Sequence, residues 1–355
     1  RIGDMARINV IAALLGTLAS IALVYWYRVD GVAMAVVVIA AASALTAWWY
    51  TRKIKIDRPQ ISRSAAWQET SALLRLGVAF MASSMLMLGT IYVVRIIIIR
   101  EHGLEAAGHY QAAWTLGGLY IGIITQAMGA DFYPRLVGAI KNHAETNRLV
   151  NEQAHVSLLL SGIGVMATIT LAPLAIMLFY SPQFLAATET LRWICLGMAL
   201  RVVSFPMGYI IVAKGSQLIF IGAELAWTIV NISLSWYCIQ RFGLHGAGIA
   251  FFGSYLFHIA MTYLIVRSMT GFRWTAENRL ICLQTLGLTA CVFVGFMFLS
   301  SLMATLFGLA AIAVVAFLSF RKLAGLAGTS PDSPRFALMP LATVLSRARA
   351  RIAGR

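Results

Sequence analysis

The sequence predicts an all-α integral membrane protein with about ten transmembrane helices. Three observations predict it. Of the 355 residues, 60% are hydrophobic and 12% charged, with a mean hydropathy of +0.81, too apolar for one water-soluble core. The apolar residues fall into ten stretches of roughly 20 residues, the length a helix needs to cross hydrocarbon while satisfying its own N–H and C=O groups. Lys and Arg collect in every second connector, as the positive-inside rule requires of a chain that crosses repeatedly.

Taken in order, the expected helices cover about 7–27, 31–50, 75–99, 108–134, 153–180, 190–213, 217–240, 246–267, 280–299 and 302–320. Arg52, Lys53, Lys55, Arg58, Arg63 and Arg75 follow the second, Arg135, Lys141 and Arg148 the fourth, and Arg267, Arg273 and Arg279 the eighth. The alternate connectors are nearly free of them: 181–189 has none and 300–303 has none. This alternation sets odd-numbered helices running outward and both chain ends in the cytoplasm. The tail 321–355 carries Pro, Ser and Arg and is expected to be disordered, with a basic end at Arg347 to Arg355 suited to anionic lipid.

The formal charge of +15 does not point to nucleic acid, because the cations sit between apolar runs rather than on one folded face. Cys195, Cys238, Cys282 and Cys291 lie inside apolar runs without CxxC or Cys/His spacing, so they read as packing residues rather than zinc ligands or a disulfide framework. No phosphate-binding loop, metal-ligand cluster or nucleophile-plus-base arrangement appears; neither catalysis nor a cofactor is expected. The chain opens at Arg1 with no initiator Met and no signal peptide, which raises the expectation of a fragment.

A short internal repeat marks two connectors. Gly31-Val32-Ala33-Met34-Ala35 opens the second helix and Gly246-Ala247-Gly248-Ile249-Ala250 the eighth, each after an outward helix ending in Trp, Tyr and Arg. A period of six helices implies two parallel halves around a cavity. On this reading 1–50 ends a first lobe, 51–74 is a cytoplasmic connector, 75–267 is a six-helix second lobe, 268–320 adds two helices and 321–355 is the tail. The first lobe would then be incomplete.

Two passages resemble a known family. Arg95 to Ala113, with Gly103, Glu105, Gly108, Tyr110 and Ala113 in Gly-x-Glu-x-x-Gly-x-Tyr-x-x-Ala spacing, resembles the O-antigen and capsule flippases of the multidrug/oligosaccharidyl-lipid/polysaccharide (MOP) exporter superfamily. Gln126 to Arg135, containing Asp131, Tyr133 and Pro134, is similar to the O-antigen translocase branch. One departure is Val94, where the family often has an acid. The resemblance implies a two-lobe exporter of twelve to fourteen helices that passes a polyprenyl-diphosphate-linked oligosaccharide from the inner to the outer leaflet of a bacterial inner membrane. Partners implied are that substrate, membrane lipids and other membrane proteins of polysaccharide assembly. Rivals are a drug or lipid II exporter of the same superfamily, and a membrane enzyme such as a polymerase; the short outward connectors speak against the enzyme.

A charge at mid-membrane costs about 2.5–3.5 kcal/mol on insertion scales, so each needs a reason. Arg201 lies in the middle of the sixth helix, before Pro206 and Gly208. It reads either as a bidentate contact for a diphosphate or as the partner of Glu224 across helices. Glu224 shares a face of the seventh helix with Gln217, Thr228, Asn231 and Ser235, lining either a seam or a transport path. His258, with Ser254 and Thr262, reads as a packing residue or a proton relay. Gln111, Thr115, Gly118, Gly122, Thr125 and Gly129 share a face of the fourth helix that small residues would let pack closely. Arg95 either snorkels to the nearby boundary or belongs to the cavity, and Asp131 with Arg135 either ties off a helix end or belongs to the cavity.

Overall fold

The computed structural model describes residues 2–52 and 62–329, and within them the chain is helical throughout, with no strand. Ten helical segments carry the labels α1 (Ile2–Thr51), α2 (Arg63–Ala127), α3 (Tyr133–Ala139), α4 (His143–Thr170), α5 (Ala172–Phe179), α6 (Thr188–Ala213), α7 (Gln217–Phe242), α8 (His245–Thr270), α9 (Ala276–Phe298) and α10 (Ser301–Thr329). Eight of them are long and apolar enough to cross a membrane.

Two of the eight are double. The apolar part of α1 runs 45 residues and that of α2 46. At 1.5 Å per residue either would be about 68 Å long, more than twice the thickness of a hydrocarbon core. Each folds back at one residue: Arg28 (φ 50, ψ −122) in α1 and Gly103 (φ 83, ψ 176) in α2. The first four expected spans are therefore present as two limbs of α1 and two of α2. Only glycine enters this region of φ without a steric cost; Arg28 does so at about 1–3 kcal/mol.

The chain divides into two compact units, Arg1–Ser71 and Ala72–Arg355. In the first, the limbs of α1 approach through small residues. Ala12, Gly16, Gly31, Ala35 and Thr46 are buried while most other side chains are exposed. A Cβ on Gly31 would fall 2.4 Å from the Leu23 carbonyl oxygen.

The second unit repeats this corner between α7 and α8. Gly243 has φ 64 and ψ −146, close to Arg28. A Cβ on Gly246 would fall 2.1 Å from the Cys238 carbonyl oxygen, as one on Gly31 would against Leu23. The partners lie the same 215 residues apart in each case (28 and 243, 31 and 246, 23 and 238). The contact continues along both hairpins: Gly16 abuts Ile39, and 215 residues later Asn231 bonds Ser254. The five-residue sequence match is thus one part of a repeated hairpin.

At the core of the second unit is α6, whose Leu191, Ile194, Cys195, Met198 and Met207 are all but inaccessible. It packs chiefly on α8 and on α4, and α7 packs on α8. α9 and α10 pack on α4. Asn151 of α4 ties down the turn into α9: its Oδ1 accepts from Thr275 N at 2.9 Å and from Asn278 Nδ2 at 3.0 Å, and Asn278 Nδ2 also donates to its carbonyl at 2.7 Å.

Several bounds differ from the sequence expectation, for identifiable reasons. α2 begins at Arg63 rather than 75, since a helix can run on into water where hydropathy no longer marks it. α4 begins at His143 rather than 153, capped by Asn142, whose side chain accepts from Ala144 N and Glu145 N. It stops at Thr170 because Pro173 removes a donor, and a separate α5 follows. α10 runs to Thr329, so the first residues of the expected tail are helical. Residues 330–355, with Arg347 to Arg355, and Lys53, Lys55 and Arg58 lie outside the described residues.

Candidate functional site

The site grows from the two arginines of α6. Arg192 and Arg201 are nine residues apart, about two and a half turns, so they point to opposite faces of one helix. Arg192 is buried and saturated. It pairs with Glu189 one turn earlier, donates from Nε to the Ile169 carbonyl at 3.2 Å and lies 3.7 Å over the Phe296 ring.

Arg201, at the midpoint of α6, is half-buried and unmatched. Its guanidinium lies 5.0 Å from the Phe205 ring centre, and its buried Nε has no hydrogen-bond partner among the described residues. Its charge acts on Glu224 of α7 and on Tyr255 and His258 of α8. No ion pair joins Arg201 to Glu224 among the described residues, so the expected interhelix pair is not formed in this conformation. Glu224 is half-buried on its own helix face.

His258 is flanked by the rings of Tyr255 and Trp227, at 5.5 and 6.5 Å between centroids. Its Nδ1 is buried without a partner, unlike the hydrogen-bonded packing histidine that was one expectation. Trp227, 7% exposed, has the same property at Nε1. The sequence reading passed over Trp227 and Tyr255. Trp227 is three residues after Glu224 and Tyr255 three before His258, spacings that put each on its neighbour's helix face and were available as a signal.

The polar stripe of α7 is split by the packing. Asn231 is 4% exposed and donates to Ser254 Oγ at 2.9 Å, which places it in the α7–α8 seam, one of the two readings of this face. Thr228 faces the first limb of α2, its hydroxyl 3.3 Å from that of Thr90. Beside this contact an apolar groove of about 510 Å³ is lined by residues such as Met85, Leu86, Gly89, Ile221, Leu225 and Ile232.

On the second limb of α2, the glycine that permits close packing is Gly117, where a Cβ would meet Ile194 at 2.8 Å. The face expected to pack is open instead: a Cβ at Gly122 would meet nothing within 4 Å, and at Gly129 only the Tyr209 hydroxyl at 3.6 Å. Polar and small residues on an uncovered helix face do not suit lipid; they suit water or a ligand.

Arg95 turns inward instead of snorkelling. Gly103 folds α2 so that Gln111, eight residues beyond the corner, accepts a hydrogen bond from Arg95, eight residues before it. Gln111 in turn donates to Thr115 Oγ1 at 3.0 Å. At the other end of the open face, Asp131 in a π-helical turn (Met128–Phe132) pairs with Arg135 at 2.7 Å, both partly exposed. Phe132 and Tyr133 pack on Tyr209 at 5.8 and 5.7 Å. Arg201, Phe205 and Tyr209 follow at four-residue intervals, giving α6 a half-exposed stripe beside the open face of α2. Arg201, Glu224 and His258 therefore come together. Arg95 and the Asp131–Arg135 pair stand at opposite ends of α2's open face.

A bundle of eight helices long and apolar enough to cross a membrane defines a multi-pass membrane protein. Residues 2–189 match the family described as "Polysaccharide biosynthesis protein", and the chain belongs to it. It is 22% identical over 169 residues to the "Lipid III flippase" of Escherichia coli (strain K12) and to that of Shigella flexneri, covering 47% of this chain and 40% of each relative. The chain thus spans less than half the length of the curated relatives it matches. Its fold is similar to that of lipid II flippase MurJ in an inward closed conformation (TM-score 0.57, 13% identity, 87% of this chain and 66% of that one). It is also similar to MATE in complex with MaL6 (TM-score 0.60, 17% identity, 73% and 63%). At these identities the likeness concerns the fold, a MOP-exporter bundle. Arg201, Glu224 and His258 lie beyond the 2–189 match.

Proposed function

We propose that this protein flips a polyprenyl-diphosphate-linked oligosaccharide, an O-antigen or other surface polysaccharide unit, from the inner to the outer leaflet of a bacterial inner membrane by alternating access of two lobes. The observation that carries the reading is Arg201: a cation at mid-span, half-open, with a buried donor that has no partner among the described residues. A guanidinium without an ion-pair partner in low dielectric is the group to which a diphosphate binds bidentately. The open face of α2 supports a polar route for the glycan, and the apolar groove between α2 and α7 suits a hydrocarbon chain. Asp131 with Arg135 would then stand at the cytoplasmic mouth and Arg95 near the outer one. The lobe boundary at 51–74, the family resemblance at Gly103 to Ala113 and the lipid III flippase relatives fit the same proposal.

Arg201→Ala should abolish glycan export while the protein stays in the membrane at its normal level, and Arg201→Lys should restore it only in part, because an ammonium lacks the planar fork. Surface glycan measured beside membrane protein level tests it; full export by Arg201→Ala would refute the role. Orientation is tested separately. In a Cys-free background, cysteines at Thr188 and Ser301 should react with an impermeant thiol reagent added outside, and one at Ser62 should not. The reverse pattern would invert the topology.

A further inference from the structure

We propose that Trp227 and His258 complete, with Arg201, a single phosphate cradle between α6, α7 and α8, the indole Nε1–H and the imidazole Nδ1–H donating to the same oxyanion as the guanidinium. This rests on the function proposed above and narrows it, naming two residues that no cation count would select.

The argument begins with unmet donors. Seven buried side-chain polar atoms lack a hydrogen-bond partner among the described residues, and three of them, Arg201 Nε, Trp227 Nε1 and His258 Nδ1, belong to this one cluster. Of the other four, Tyr120, Thr170 and Thr190 contribute hydroxyls, whose hydrogens rotate, and Arg95 is already held by Gln111. The cluster differs in kind. An indole N–H has one direction and no acceptor capacity, so only an acceptor brought to it can satisfy it. Its ring is held in place: Trp227 is 7% exposed, packed against Tyr255 at 5.6 Å and nearly perpendicular to His258 at 81°.

Arg201 Nε on α6, Trp227 Nε1 on α7 and, in its Nδ1–H tautomer, His258 on α8 are three buried nitrogens without partners among the described residues, and a phosphate group has oxygens enough to accept from all three. Glu224 stands close enough to this cluster for its charge to be felt at Tyr255 along with that of Arg201. It lies one turn before Trp227 without an ion pair to Arg201. Its charge opposes an incoming anion, so its neutralisation should favour binding. The cradle does not itself distinguish a polyprenyl diphosphate from a phospholipid headgroup; the chemistry is shared.

The full chain, purified in detergent, is titrated with farnesyl diphosphate, with farnesol and with dioleoylphosphatidylglycerol. Trp227→Phe keeps the ring and removes only the N–H. It should weaken farnesyl diphosphate binding about ten-fold, the size of a lost charge-assisted hydrogen bond, and leave farnesol unchanged. His258→Leu should act likewise, His258→Gln should recover part of the loss through its amide N–H, and Glu224→Gln should tighten binding. In the Arg201→Ala background Trp227→Phe should cost far less, since coupled groups are non-additive. Dioleoylphosphatidylglycerol competing with the same Trp227 dependence would support the cradle and assign it to membrane lipid.

Trp227→Phe and His258→Leu both within two-fold of wild type for farnesyl diphosphate would overturn the cradle, as would an equal loss for farnesol, which means packing alone. If they fail while Arg201→Ala still abolishes export, the cradle falls and the proposed function stands. If Arg201→Ala exports normally while Trp227→Phe loses farnesyl diphosphate, the cradle survives and the export role of Arg201 does not.

Discussion

Arg192 and Arg201 occupy one helix and carry one charge each, yet the bundle treats them oppositely. Arg192 faces α4 and α9 and finds a carboxylate, a carbonyl and a ring. Arg201 faces the half-exposed side and finds one ring face and a carboxylate with which it forms no ion pair among the described residues. A buried charge is retained at a cost unless something matches it. Where the protein itself supplies the match, the charge is part of the architecture; where it does not, the match is expected from outside. The two faces of α6 therefore separate what holds the bundle together from what the bundle meets.

The largest effect that would sharpen this contrast is on stability. Arg192→Ala removes a buried cation together with its bond to the Ile169 carbonyl and its packing on Phe296, and should destabilise the protein by about 2 kcal/mol, with a lower membrane level. Arg201→Ala should leave thermal stability in detergent unchanged or slightly raised, because an unmatched donor is removed. Equal losses from both would erase the distinction between the faces.

Next in size is the seam of α7 and α8. Asn231→Ala breaks the bond to Ser254 and should cost about 0.6 kcal/mol, the average for hydrogen bonds between membrane helices, without reducing export. Export falling with unchanged protein level would return Asn231 to the cavity.

The smallest effect is expected at the end of α2. Asp131 and Arg135 form a partly exposed pair four residues apart, worth about 0.3–0.5 kcal/mol. Asp131→Asn should barely move the melting temperature. A marked export defect in that variant, at normal protein level, would show that the pair acts on the substrate rather than on the helix end.

Much of this was legible beforehand. Hydropathy and length placed ten spans because hydrocarbon imposes its own ruler, and the repeat at Gly31 and Gly246 pointed to hairpins that the structure repeats down to one backbone conformation. The start of α4 was equally open to reading, since Asn142 followed three residues later by Glu145 is a helix-start signature. Periodicity did less well with faces. It selected Gly118 and Gly122 for packing where Gly117 packs, and grouped Asn231 with Glu224 although the two meet different neighbours. One residue is a 100° rotation, and a pattern of polarity alone does not say which side holds a partner.

What the amino-acid order determined by itself was the solvent, the number of crossings and the positions of charges too costly to be idle, because these follow from transfer free energies and helix length along one dimension. Which of those charges is matched was decided only by tertiary structure. Whether an arginine is saturated depends on what other helices bring within about 3 Å of it, and neighbours such as Ile169 and Phe296 come from distant parts of the chain. The same residue type on one helix yields a strut at Arg192 and an open donor at Arg201, and the helices packed against each face decide which.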